Sequence, residues 1–227
     1  SGAIDEVIRH AVSKLSHIHF VSNDVSAKRL RQLGERPESI FVVGSPDIDI
    51  MLKSDLPPIR EVLTYYHIDF ATYAIILFHP DTTDLAATEH AVSEIVAATL
   101  ASAHNYVVIY PNNDQGNDLI FRAYEQLQGN PRFQLFPSMR FEYFLSLLKN
   151  AQFIIGNSSV GIREAPVYGV YSLNIAGRQR SRFDHASIIN LDCNRDVILT
   201  TINNLSSRPP QAPCFHFGHG DSASRFL

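Results

Sequence analysis

From Tyr73 onward the chain alternates short, mainly apolar runs with helix-length stretches, and this alternation constrains the fold more than any other feature. The runs are Tyr73–Phe78, Tyr106–Tyr110, Phe133–Phe136, Phe153–Ile155 and Tyr171–Ile175, with a weaker one at Ile188–Leu191. Short apolar runs of this kind suit strands buried on both faces of a parallel sheet. The intervening segments predict helices over Ala86–Ser102, Asp118–Leu127, Phe141–Lys149, Ile162–Tyr168 and Arg195–Leu205. Strand–helix alternation of this kind implies an α/β fold, a Rossmann-like doubly wound parallel sheet. Ligands of such sheets bind beyond the carboxyl ends of the strands, so the residues just after each run matter most.

The first fifty residues follow the same pattern on a smaller scale. Ile4, Val7, Ile8, Ala11, Val12 and Leu15 form a helical apolar stripe. Strands are expected at Ile18–Val21 and Ile40–Val43, and helices near Val25–Leu33 and Ile48–Leu52. The stretch Ser54-Asp55-Leu56-Pro57-Pro58 reads as a linker, because tandem prolines interrupt both kinds of hydrogen-bond ladder. The domain expectation is therefore 1–55 and 56–227. Two strands with their helices bury a sheet poorly. Residues 1–55 are accordingly expected to be the remnant of a larger N-terminal domain, or a lobe completed by another chain. Unpaired strand edges and apolar faces seek partners, so a homo-oligomer is expected.

Composition excludes several functions. A net charge of −4 offers no basic field for nucleic acid. No apolar run reaches the roughly 20 residues of a membrane-spanning helix. Cys193 and Cys214 lack paired-motif spacing, so neither a disulfide framework nor a thiolate metal site is expected, and a cytoplasmic location fits.

Polar residues gather at the strand ends. They are His79-Pro80-Asp81-Thr82-Thr83-Asp84, Asn112-Asn113-Asp114, Ser138-Met139-Arg140, Gly156-Asn157-Ser158-Ser159 running on to Arg163-Glu164, and Gly177-Arg178-Gln179-Arg180. Their convergence on one sheet edge is the strongest evidence for a site. Ser158 and Ser159 precede a helix, where hydroxyls and free N–H groups either meet a phosphate or simply cap the helix. Glu164, about a turn further on, has the reach to accept bonds from ribose hydroxyls. His79 either contacts phosphate or transfers a proton, or simply stacks in the interdomain surface. Arg178 either neutralises a diphosphate or is one surface arginine among Arg178, Arg180 and Arg182. Asn112 either reads a base edge or caps the next helix. The tail His216-Phe217-Gly218-His219-Gly220-Asp221 reads as a glycine-rich segment rather than a metal cluster, since no further ligand has motif spacing. Asp5 and Glu6, near a helix start, are read from their position as dipole partners.

Taken together these motifs resemble the UDP-N-acetylglucosamine 2-epimerases, the hydrolysing branch best. The carrying segments are Ser1 to His10, Gly44-Ser45-Pro46, His79 to Asp84, Tyr110-Pro111-Asn112, and Gly156-Asn157-Ser158-Ser159 through Arg163-Glu164. The resemblance implies the C-terminal half of a two-domain, GT-B-like fold. It implies a UDP-sugar substrate, with Ser158 and Ser159 on the diphosphate and Glu164 on the ribose. It implies His79 and Arg178 near the phosphates and sugar, and Asn112 and Met139 near the nucleoside. His79, Asp5 and Glu6 are the implied catalytic groups, Glu6 the better base of the two acids. The implied chemistry removes the C2 proton as UDP leaves C1, then adds water, and requires no cofactor and no metal. It also implies that a chain carrying mainly the nucleotide half binds UDP with little turnover. The related substrate is a UDP-diacetamido-trideoxy sugar. A glycosyltransferase domain and a non-catalytic nucleotide-binding module share the fold and stand as alternatives.

Overall fold

The computed structural model describes residues 4–53, 55–175, 183–205 and 208–227. The chain forms two compact units, one of residues 1–56 with 215–227 and the other of residues 57–214.

In the larger unit, six strands form one parallel sheet. They are β3 (Ala74–Leu77), β4 (Tyr106–Ile109), β5 (Phe133–Phe136), β6 (Phe153–Gly156), β7 (Tyr171–Ile175) and β8 (Ile188–Leu191). Their spatial order is β5-β4-β3-β6-β7-β8, every pair parallel. The first strand of the unit is therefore central, and the chain winds outward from it in both directions, as the doubly wound reading requires. Alternate residues of β3 serve opposite layers. Ala74 and Ile76 join a core with α5 (Leu85–Ala101), α6 (Asn117–Glu125) and α9 (Arg195–Leu205). On the other side lie α4 (Ile59–Tyr65), α7 (Phe141–Asn150) and α8 (Val160–Arg163), with Val62, Leu145, Leu148 and Ile162 buried. The guanidinium of Arg132 binds the carbonyls of Leu100 and Ser102, meeting the orphan acceptors at the end of α5.

Two elements differ from the sequence expectation. Helix α4 follows directly on Pro57-Pro58, where the chain reads as linker. Its packing is tertiary, with Tyr143 donating from α7 to Glu61 at 2.9 Å. The helix expected over Ile162–Tyr168 is split into α8 and a 3-10 turn over Ala165–Tyr168. Pro166 lacks the N–H that would continue an α-helix.

The smaller unit contains α1 (Ile4–Leu15), β1 (His19–Val21), α2 (Asp24–Gln32), β2 (Ile40–Val42), α3 (Pro46–Met51) and α10 (Ser222–Phe226). Strands β1 and β2 pair in parallel. Asn23 caps α2, its Oδ1 accepting from the N–H of Ser26 at 2.9 Å. Residues 215–227 belong here, whereas the sequence placed them in the second domain. Asp49 of α3 holds them, accepting from Ser222 N–H at 3.1 Å, Ser222 Oγ at 2.6 Å and Ala223 N–H at 3.1 Å. The stripe on α1 forms at helical spacing but faces outward, with Leu15 81% exposed and Val7 66%.

Candidate functional site

The strand order reverses between β3 and β6, and chains leaving those two strands diverge to open a crevice. The two strand ends are held unusually close. Gly156, at φ 150, has its missing Cβ position 1.9 Å from the carbonyl oxygen of Leu77, so no larger residue fits there. One residue on, Asn157 bridges the loops. Its Oδ1 accepts from the N–H of His79 at 2.8 Å, and its Nδ2 donates to the carbonyl of His79 at 2.7 Å. Sequence reading assigned Asn157 no role of its own. The available signal was an asparagine one residue past a buried strand, where a side-chain amide is well matched to unpaired backbone.

His79 follows β3, and the backbone N–H of Asn112 donates to its Nδ1 at 3.4 Å. A backbone N–H can only donate, so Nδ1 carries the lone pair and Nε2 the ring proton in this arrangement. The side chain of Asn112 binds Asp114 at 2.7 Å and does not cap α6, whose N-cap is Gly116. The capping alternative for Asn112 is therefore not realised. Nor does Ser159 use its side chain as a cap, although it sits at the N-cap position of α8. Ser158 Oγ accepts a long bond of 3.4 Å from the N–H of Val160. Glu164 closes α8 and opens the following 3-10 turn, half-buried. Helix α8 lies hard on β7, because a Cβ on Gly161 would fall 2.2 Å from Ser172 Oγ.

These loops enclose a depression of about 390 Å³ in which His79, Asn112, Met139 and Ser158 all line the wall. Leu77, Ile109 and Phe144 contribute an apolar floor, and Ser138 a further hydroxyl. Among the described residues the lining holds no carboxylate, lysine or arginine. An apolar floor with neutral donors and acceptors at its rim suits a flat ring with hydrogen-bonding edges. Ser159 and Glu164 lie outside this lining. Arg178 falls outside the described residues, as do the side chains of Asp5 and Glu6. A second depression, of about 380 Å³, belongs to the smaller unit and is lined in part by Asn23, His216 and His219. Among the described residues no three His, Cys, Asp or Glu side chains come together as metal ligands.

A doubly wound sheet with a polar-rimmed crevice at its order reversal defines a Rossmann-like ligand-binding unit. The chain belongs to the UDP-N-acetylglucosamine 2-epimerase family, whose model matches residues 1–227. It is 44% identical over 207 residues to a UDP-N-acetylglucosamine 2-epimerase of Neisseria meningitidis, covering 91% of this chain and 55% of the relative. It is 30% identical over 227 residues to a hydrolysing UDP-N,N'-diacetylbacillosamine 2-epimerase of Legionella pneumophila, covering 99% of this chain and 60% of that one. The S. aureus MnaA–UDP co-structure superposes with a TM-score of 0.75, over 98% of this chain and 61% of the other. At 16% identity that likeness speaks to the fold alone. The chain thus spans little more than half the length of the relatives it matches.

Proposed function

We propose that this chain supplies the nucleotide-binding half of a hydrolysing UDP-N-acetylglucosamine 2-epimerase. The observation that carries the reading is the convergence of His79, Asn112, Met139 and Ser158 on one depression beside the strand-order reversal. In this reading the uracil and ribose lie against Asn112 and Met139, and Glu164 binds the ribose hydroxyls. Ser158 and Ser159 hold the diphosphate, with His79 and Arg178 at its sugar end. Neutral donors aimed at a leaving diphosphate stabilise the charge that develops as the C1–O bond breaks.

The chemistry proposed for the whole protein runs in two steps. A base, Glu6 or Asp5, takes the C2 proton, the C–H electrons form a C1=C2 bond, and UDP departs with the C1–O pair. Water then adds across that double bond, giving N-acetylmannosamine, a precursor of sialic-type sugars. The Legionella relative favours a second substrate, a UDP-diacetamido-trideoxy sugar. The exposed apolar stripe of α1 supports a homo-oligomer, and Cys193 and Cys214, which lack paired-motif spacing, suit a reducing cytoplasm.

Calorimetric titration with UDP tests the site. Ser158→Ala and Glu164→Ala are each expected to weaken binding about tenfold, as loss of a charge-assisted hydrogen bond does. A folded chain that takes up no UDP would overturn the nucleotide reading. The chain by itself is expected to bind with little turnover, and ready release of N-acetylmannosamine would contradict that.

A further inference from the structure

We infer that Asn157 is a positioning residue for His79, setting the direction of its imidazole, an inference that rests on the nucleotide site proposed above. Asn157 is 1% exposed, so its amide must be satisfied internally. Its amide oxygen and nitrogen bond the N–H and the carbonyl of one residue, His79, 78 positions away. The paired registers of β3 and β6 end at Leu77 and Gly156. Beyond that point the backbones no longer pair, and the amide of Asn157 takes over as a side-chain rung of the ladder. The absence of a Cβ on Gly156 is what lets the two ends approach closely enough for this.

The clamp matters because His79 lies two residues beyond β3, outside the ladder, where small changes in φ and ψ swing the ring. With the backbone held, Nδ1 meets the N–H of Asn112 at 3.4 Å, and the ring proton resides on Nε2. Asn157 therefore acts through His79 and makes no claim on ligand itself. Any residue that merely filled the space would leave the ring free to choose its tautomer and direction.

The test combines a double-mutant cycle with ring spectroscopy. N157D keeps an acceptor for the His79 N–H but offers no donor to the His79 carbonyl, and N157A removes both. Each is made alone and with His79→Ala, and UDP affinity is read by calorimetry. In the native background N157D is expected to weaken UDP binding about tenfold, and with His79→Ala by less than about twofold, the coupling expected of groups acting in series. Nitrogen-resolved magnetic resonance of the His79 ring gives a readout that needs no ligand. The native ring is expected to show one neutral tautomer, and the N157D ring an average of two. Should N157A fail to fold, N157D carries both measurements. Additive losses in the cycle, or an unchanged ring spectrum in N157D, would overturn the inference. A native chain that binds no UDP, but whose ring spectrum changes in N157D, would sink the nucleotide reading and leave the positioning role standing.

Discussion

In the larger unit, β3 is buried from Ala74 to Leu77, with β4 and β6 paired along its two edges. In the smaller unit, β1 and β2 bury one face only: His19 and Ile40 point inward while Phe20 and Phe41 stand about half exposed. Those two rings stack on each other at 5.6 Å, and Phe226 leans on Phe20 at 4.7 Å. Both units use parallel pairing, yet only the six-stranded one meets the usual condition that a parallel sheet be covered on both sides. The larger unit is consequently held by apolar packing. The smaller one depends more on a few polar clasps, Asp49 on the tail and Glu35 between Lys14 and His19.

That contrast can be broken most forcefully at Gly156. Gly156→Ala forces a Cβ into the Leu77 carbonyl and is expected to cost about 3 kcal/mol or more, by overpacking and backbone strain together. Denaturant unfolding measures it, and a loss under about 1 kcal/mol would mean that the sheet yields more than a densely packed core should. Asp49→Ala probes the other regime. It strips three bonds from the start of α10 and is expected to cost about 2 kcal/mol, the usual worth of hydrogen bonds to a charged group. Protease should then cut the tail faster than in the native chain.

A smaller effect is expected from pH. The hydrogen bond from Lys14 holds the Glu35 carboxyl below its ordinary value of 4.5, with desolvation opposing and His19 adding to the lowering. A depressed folded pKa stabilises above the unfolded value and loses that contribution as pH falls through the folded one. Burial pushes the Asp49 carboxyl up, but the bonds from Ser222 and Ala223 outweigh it and bring the group below 3.8. On acidification the Glu35 clasp therefore weakens below about pH 4.5 and the Asp49 clasp below about pH 3.8. Urea midpoints at pH 7 and pH 3.5 should differ less in Glu35→Gln than in the native chain, and equal differences would remove Glu35 from the account.

The strands were legible because each is a short, mainly apolar run between helix-length stretches, and the few polar residues inside them, Gln134, Ser172, Asn174 and Asn190, do not break the pattern. Phe133–Phe136, Tyr171–Ile175 and Ile188–Leu191 occur as the sequence reads. Helix α4 was not, since a double proline masks a helix start as readily as it marks a linker. The stripe on α1 was read correctly for period, but period cannot say whether a face finds a partner. Strand-end logic brought His79, Asn112, Met139 and Ser158 to one depression, because topology alone places them there. It passed over Asn157, whose part depends on a close approach of two backbones that no spacing along the chain encodes.

The bond between Asp49 and Ser222 joins residues 173 positions apart. During synthesis the smaller unit therefore begins to emerge first and is completed last. At ordinary elongation rates Asp49 waits roughly ten to thirty-five seconds for Ser222 to be made. In that interval residues 57–214 are made, and the apolar residues that α10 will meet, Phe20 among them, stay uncovered. The order in which the ribosome delivers the chain thus leaves the first-made of the two units incomplete the longer.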